Sequence, residues 1–187
     1  MKKFSWFSAS LVFTLAITYW LVGGRMNHAQ AEPLHGPLPE FTQSDSQAWL
    51  NSSPLKTADL KGKVLLIDIW TLACWNCYRS FPWLHSVEEK FADDNFQVIG
   101  IHSPEFDYEH NRGAVEKAIK KYKLQHPVMM DNDFAYWQAL NNRYWPAFYL
   151  VDKQGNLRYR FIGETHQGDA QADKIERAIE YLLQESL

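Results

Sequence analysis

The chain has 187 residues, a net charge of −3 and 46% apolar residues. This length and composition supply the core of one ordinary domain with a short additional segment. Because the charge balance is slightly acidic, the composition provides no basic surface of the kind that nucleic acids require, and we expect no nucleic-acid partner.

The first 31 residues contain a candidate membrane segment. Lys2 and Lys3 precede Phe4–Val22, a run of nineteen residues without a charged side chain. A helix that crosses about 30 Å of hydrocarbon needs roughly 20 residues, so this run predicts an inner-membrane anchor. Ala29–Ala31 has a small-x-small cleavage pattern, which leaves a cleaved signal peptide open. Since the lysines precede the run, the rest of the chain is expected in the periplasm or an equivalent extracytoplasmic space.

The remaining chain divides into a polar segment and a domain of alternating strands and helices. Residues 32–62 contain four prolines and predict a linker with a short N-terminal cap. In residues 63–187, short apolar runs alternate with helical periodicity, which predicts an α/β domain with a central mixed sheet flanked by helices. The predicted strands are 63–70, 96–102, 126–130, 147–152 and 157–162. One helix is predicted to begin near Cys77, and three more are predicted at 114–124, 133–140 and 169–183.

The only two cysteines form a C-x-x-C motif, Cys74-Trp75-Asn76-Cys77, at a predicted strand-to-helix junction. Free N–H groups and the helix dipole at such a junction favour a thiolate, and a cysteine pKa near 8.5 can fall there to roughly 3.5 to 7.5. Cys74, nearer the loop, is therefore the predicted nucleophile. Cys77, inside the helix, is predicted to resolve the mixed disulfide.

Three other uses of the cysteine pair fit the sequence less well. A structural disulfide over so short a loop removes little entropy from the unfolded chain. A structural zinc site normally needs four Cys or His ligands, and the seven histidines lack the required spacing. Covalent haem attachment needs His after Cys77, where Tyr78 stands. We therefore expect a redox pair with neither a metal nor another cofactor.

Three separated blocks of sequence resemble the thioredoxin superfamily. They are PLKTADLKGKVLLIDIWTLACWNC, IHSPEF and DNDFAYWQALNNRYWPAFYLVDKQGN. In this order they are most similar to the TlpA-like branch, particularly the thioredoxin-like domain of DipZ-type proteins. The resemblance covers roughly residues 40 to 187 and implies a thioredoxin-like fold.

The resemblance assigns roles to four residues outside the motif. In the superfamily a cis-proline packs against the cysteines and the preceding residue binds the substrate backbone, which implies these roles for Pro146 and Trp145. Asp68 matches the buried acid that moves protons, although an Asp at a strand end facing water stays open. Glu105 matches a glutamate found near the cysteines of TlpA-like reductases, and a solvated loop acid is equally natural there.

The residues between the cysteines depart from the family. Many relatives have Pro before the second cysteine, whereas this chain has Trp75-Asn76. We expect both residues to contact substrate. Because intervening residues tune thiolate stability, the redox potential stays open.

The sequence thus predicts a thiol-disulfide oxidoreductase that reduces disulfides of exported proteins, with a membrane electron-relay protein as a second partner by analogy with the family. The absence of an oxidase-like Pro-His dipeptide and the presence of Asp68 favour reduction.

Three alternative functions stay open. Thr71 and Cys74 form the T-x-x-C of thiol peroxidases, although Ile67 stands where their motif has Pro. Two thiolates can bind Cu(I) as in a copper chaperone, and the aromatic stretch 134–149 could belong to a redox-inactive binding module.

Overall fold

The computed structural model describes residues 31–92 and 95–186. The predicted membrane segment, Phe4–Val22, lies outside these residues. Within the described ranges, no helix combines the length and apolar character needed to cross a membrane.

Seven strands of the described residues form one mixed sheet, and an α-helix lies in three of the six connections between them. The strands are β1 Glu32–Pro33, β2 Trp49–Leu50, β3 Val64–Trp70, β4 Phe96–His102, β5 Val128–Met130, β6 Ala147–Val151 and β7 Leu157–Ile162. The α-helices of the described residues are α1 Trp75–Lys90, α2 Arg112–Tyr122, α3 Ala135–Ala139 and α4 Ala170–Gln184. The strand order is β1-β7-β6-β3-β4-β5-β2, in which β3, β4 and β5 are parallel to one another.

Strand β3 lies at the centre of the sheet, and all seven of its residues are buried. Its side chains alternate between two cores. Leu66 and Trp70 pack on one face with residues of α1, α2 and α4. Leu65 and Ile67 pack on the other face with α3 and with residues that precede β3. Because each such aliphatic side chain contributes about 1.5 to 3 kcal/mol on full burial, β3 anchors both layers of the domain.

Residues 32–62, expected to be a linker and cap, supply both edges of the sheet. Strand β1 pairs antiparallel with β7, and β2 pairs antiparallel with β5. Each of these strands has two residues, which is too short to produce a readable alternation of polar and apolar positions. The sequence therefore did not predict them.

The other predicted elements occur in the predicted order, with small shifts at their ends. Strands β4 and β7 coincide with the predicted ranges. Helix α3 begins at Ala135, two residues later than predicted. Phe134 has a left-handed backbone with a φ of 58°, and the carboxylate of Asp131 accepts the N–H groups of Tyr136 (2.9 Å) and Trp137 (2.8 Å). This cap fixes the start of the helix.

The topology gathers three loops at one end of the sheet. The pairing of Trp70 with His102 aligns the carboxyl ends of β3 and β4. Strand β6 runs antiparallel to β3 and starts at Ala147, opposite Ile69. The loops after β3, after β4 and before β6 therefore lie at the same edge, which carries the cysteine motif.

Candidate active site

Cys74 and Cys77 are joined by a disulfide, with their Cα atoms 5.3 Å apart. Cys74 is the N-cap of α1, and the backbone N–H of Cys77 donates a hydrogen bond to Cys74 Sγ at 3.0 Å. Cys74 is half-buried, whereas Cys77 is only 1% exposed. After reduction, the same N–H group and the helix N-terminus would stabilise a thiolate on the accessible sulfur. No group of three or more His, Cys, Asp or Glu side chains in the described ranges is arranged to hold a metal ion.

Asp68 lies in the buried core below the motif. It is 1% exposed and shares a face of β3 with Leu66 and Trp70, which belong to the same apolar cluster as Cys77. Its burial excludes the alternative of a strand-end carboxylate that faces water. Burial raises the pKa of Asp68 to about 7, the nearby charge of His126 lowers it, and that of Glu88 raises it. Asp68 can therefore take up or release a proton near neutral pH.

Trp145 and Pro146 lie at the same end of the sheet as the disulfide. The peptide bond between them is cis, and Pro146 is buried. The carbonyl of Pro146 accepts the N–H of Gly163 at 2.9 Å. Trp145 is partly buried, and its ring centroid lies 4.3 Å from that of Trp137. Among the described residues, neither backbone group of Trp145 makes a hydrogen bond with the backbone of another residue.

A buried glutamate that the sequence did not single out supports the loop before Cys74. Glu109 is 0% exposed, and its carboxylate accepts hydrogen bonds from the Thr71 hydroxyl and from the Leu72 N–H at 3.0 Å. It also accepts the N–H of Glu105 at 3.4 Å. Since Thr71 and Leu72 connect β3 to the motif, Glu109 fixes the path of the chain into Cys74.

Glu105, the glutamate predicted from the resemblance, has an exposed side chain. Its backbone N–H contacts Thr71 Oγ1 at 3.2 Å, so the residue lies at the site while its carboxylate faces outward. Glu109 lies four residues further on, in a 3₁₀ turn at Asp107–His110. A single 3₁₀ turn has no hydrophobic periodicity that the sequence could show. The role of Glu109 becomes visible only through its hydrogen bond with the distant residue Thr71.

His102 lies behind Glu109, with Nε2 3.7 Å from the carboxylate and both side chains 0% exposed. Burial lowers the pKa of His102 to about 3, so its imidazole is neutral at physiological pH. His102 therefore does not form a charged pair with Glu109.

Exposed aromatic side chains concentrate around the motif. In the part of the chain that the structure describes, five large apolar or aromatic side chains are well exposed, and four of them lie at the start of α1 or on the loops of the site: Trp75, Phe106, Tyr108 and Tyr144. Trp75 is the most exposed, at 68%. Asn76 is also exposed. Exposed aromatic groups beside a reactive centre are typical of a surface that contacts another protein.

The fold and this site define a thioredoxin-like protein with a C-x-x-C disulfide. The Redoxin family matches residues 35–179, and the chain belongs to this family. The chain is 40% identical over 119 residues to DipZ of Mycobacterium bovis, a match that covers 62% of this chain. It is 29% identical over 126 residues to the thiol-disulfide oxidoreductase YkuV of Bacillus subtilis, and this match covers 67% of this chain and 83% of YkuV.

A solved structure confirms the fold. The crystal structure of a thioredoxin-like superfamily protein aligns with a TM-score of 0.67 and 27% identity, covering 80% of this chain and 97% of that chain. The predicted resemblance to the TlpA-like branch is thus confirmed. The chain spans only 17% of the length of DipZ. Together with the disulfide, these similarities support a redox role for Cys74 and Cys77.

Proposed function

We propose that the protein is a thiol-disulfide oxidoreductase that reduces disulfides of exported proteins. The observation that carries the proposal is the asymmetry of the pair: Cys74 caps a helix, receives the Cys77 N–H and is half-buried, whereas Cys77 is buried. This arrangement favours a nucleophilic thiolate at the surface and a protected resolving thiol behind it. The similarity to YkuV supports the same chemistry.

The reaction transfers two electrons from the protein to its substrate. The Cys74 thiolate attacks a substrate disulfide, forms a mixed disulfide and expels one substrate sulfur as a thiolate. Cys77 then gives its proton to the Asp68 carboxylate, and the Cys77 thiolate attacks the Cys74 sulfur. The bond from Cys74 to the substrate breaks, the second substrate thiolate leaves, and the Cys74–Cys77 disulfide forms. Both expelled thiolates take protons from solvent.

The surroundings of the pair support a protein substrate. Trp145 offers its unpaired backbone groups to an extended segment, and Trp75 offers an exposed ring beside Cys74. Pro146, Asn76 and Glu105 complete the proposed set of site residues. Backbone pairing gives affinity that does not depend on substrate sequence, which suits a reductase of several proteins.

Regeneration of the dithiol needs an external donor of two electrons. We propose a membrane thiol-disulfide relay that reduces the Cys74–Cys77 disulfide. The apolar run Phe4–Val22 supports this assignment, because as an uncleaved anchor it would hold the domain at an extracytoplasmic membrane surface. If the run is cleaved as a signal peptide, it would still direct export of the domain.

Two serine variants test the function. With a dithiol as electron source and a protein disulfide as substrate, Cys74→Ser should lose exchange. Reduced Cys77→Ser, freed of the dithiol before the substrate is added, should accumulate the mixed disulfide, detectable by mass, because it attacks but does not resolve. Exchange retained by Cys74→Ser would contradict the proposal.

The direction of electron transfer is tested by the equilibrium of the Cys74–Cys77 pair with glutathione, measured by mass spectrometry after alkylation. A potential well below about −200 mV would place the protein among reductants, whereas one near about −120 mV would make it an oxidant and overturn the proposed direction.

A further inference from the structure

Two buried nitrogen atoms flank Gly100 on the face of the sheet that carries Asp68. Gly100 is directly opposite Asp68 in the pairing of β3 with β4. A Cβ atom at Gly100 would lie 3.2 Å from His126 Nε2 and 3.2 Å from Trp70 Nε1. Among the described residues, these two nitrogens and Asp68 Oδ2 have no hydrogen-bond partner. Since burying an unpaired polar atom costs free energy, three of them together indicate a role beyond packing.

His126 connects this buried group to the surface. Its Nδ1 lies 3.0 Å from Glu88 Oε1, and its side chain is 2% exposed, whereas that of Glu88 is 26% exposed. Both residues line a cleft of about 210 Å³ that opens to solvent. A carboxylate accepts hydrogen bonds, so Nδ1 carries the proton that points to Glu88, and Nε2 is the ring nitrogen on the buried side.

We propose that His126 and Glu88 form the route by which protons pass between Asp68 and solvent. His126 acts through Asp68 and is therefore a positioning residue. The inference rests on the proposed function, because Asp68 takes the proton of Cys77 only when that thiol resolves a mixed disulfide. A route is required since Asp68 is itself buried.

The proton steps balance over one catalytic cycle. When Cys77 resolves the mixed disulfide, its proton moves to Asp68 and then to His126 Nε2, while the proton on Nδ1 moves to Glu88 and out to solvent. This leaves His126 protonated on Nε2. When an external dithiol reduces the disulfide again, Cys77 needs a proton, and the same steps run inward. The second half of the cycle therefore restores the starting tautomer without rotation of the ring.

Two titratable groups face Asp68 from the elements packed against its side of the sheet. His126 comes from the segment before β5 and Glu88 from α1; a positive charge on His126 lowers the pKa of Asp68, and Glu88 raises it. Gly100 on β4 and Phe148 on β6, its neighbours in register, carry no charge. Replacing His126 with a neutral residue should therefore raise the pKa of Asp68, and replacing Glu88 should lower it.

The test separates nucleophilic attack from resolution. Reduced full-length protein is mixed with an excess of an aromatic disulfide, and the two equivalents of aryl thiolate are followed by absorbance between about pH 5 and pH 9. The first equivalent reports attack by Cys74 and the second reports resolution by Cys77. An aryl thiolate leaves without protonation, so the second phase isolates the proton transfer from Cys77.

The variants are His126→Gln, His126→Ala and Glu88→Gln, with His85→Gln as the matched control. His85 lies three residues before Glu88 on α1 and lines a neighbouring cleft with it, but it is not among the groups that act on Asp68. We expect both His126 variants to slow the second phase about 10-fold near pH 7, with the first phase unchanged. Imidazole added to His126→Ala should restore the second phase, because the shortened side chain opens the cleft to a small base.

The pH dependence supplies a readout that a purely structural role would not change. The midpoint of the second phase should move to higher pH in His126→Gln and to lower pH in Glu88→Gln, and stay in place in His85→Gln. Should His126→Ala not fold, the Gln variants carry the test. Second-phase rates and midpoints equal to those of His85→Gln would overturn the inference. If the wild-type protein releases neither equivalent, the proposed function itself has failed.

Discussion

Replacement of Asp68 by Asn should remove a pH-dependent loss of stability. Asp68 is 1% exposed, and burial raises its pKa from 3.8 to about 7. One pKa unit of difference between the folded and unfolded states corresponds to about 1.4 kcal/mol. The ionised carboxylate therefore destabilises the folded state by about 4 kcal/mol.

The sign follows from the number of bound protons. Because the folded pKa is above the unfolded one, the folded state binds more protons between these two values, and stability falls as the pH rises. The free energy of unfolding of wild type is undiminished by Asp68 below about pH 4, and its decrease is complete above about pH 7. Asn carries no charge at any pH, so Asp68→Asn lacks this loss. The free energy of unfolding of Asp68→Asn minus that of wild type should therefore increase by about 3 kcal/mol from about pH 4.5 to about pH 8.5.

Urea unfolding of the oxidised proteins measures this difference. The Cys74–Cys77 disulfide stays intact, so neither thiol titrates. Asp107→Asn, at an exposed position, controls for the change in net charge. A difference between wild type and Asp68→Asn that stays constant within about 0.5 kcal/mol would refute the reasoning, because Asp68 would then ionise equally well in both states.

Two further substitutions test the surroundings of the pair. Glu109→Ala should lower the free energy of unfolding by about 1 to 3 kcal/mol, because the Thr71 hydroxyl and a backbone N–H lose their acceptor. Glu105→Ala should change it by less than about 0.5 kcal/mol. Urea unfolding compares the two variants, and equal losses would contradict the role of Glu109 in supporting the loop before Cys74. Trp75→Ala should raise KM for a protein disulfide and leave kinetics with a small aromatic disulfide unchanged. Equal effects on both substrates would exclude a contact specific to the protein chain.

Local sequence patterns predicted much of the fold. The buried run of β3 is apolar on both faces, and the helices and strands after it follow their periodicities, so their order is readable. The edge strands β1 and β2 are not readable, because two residues carry no period and their pairing depends on β7 and β5. Helix α3 is shorter than its pattern because the Asp131 side chain sets its start.

The sequence by itself determined the chemistry: only Cys74 and Cys77 carry thiols, and their spacing at a strand-to-helix junction makes them a pair. The tertiary structure decided what surrounds them. Glu109 bonds Thr71 across 38 positions, and His126 reaches the neighbourhood of Asp68 only because β4 lies beside β3 and β5 lies beside β4. Such contacts depend on how distant segments pack, and no local periodicity encodes them.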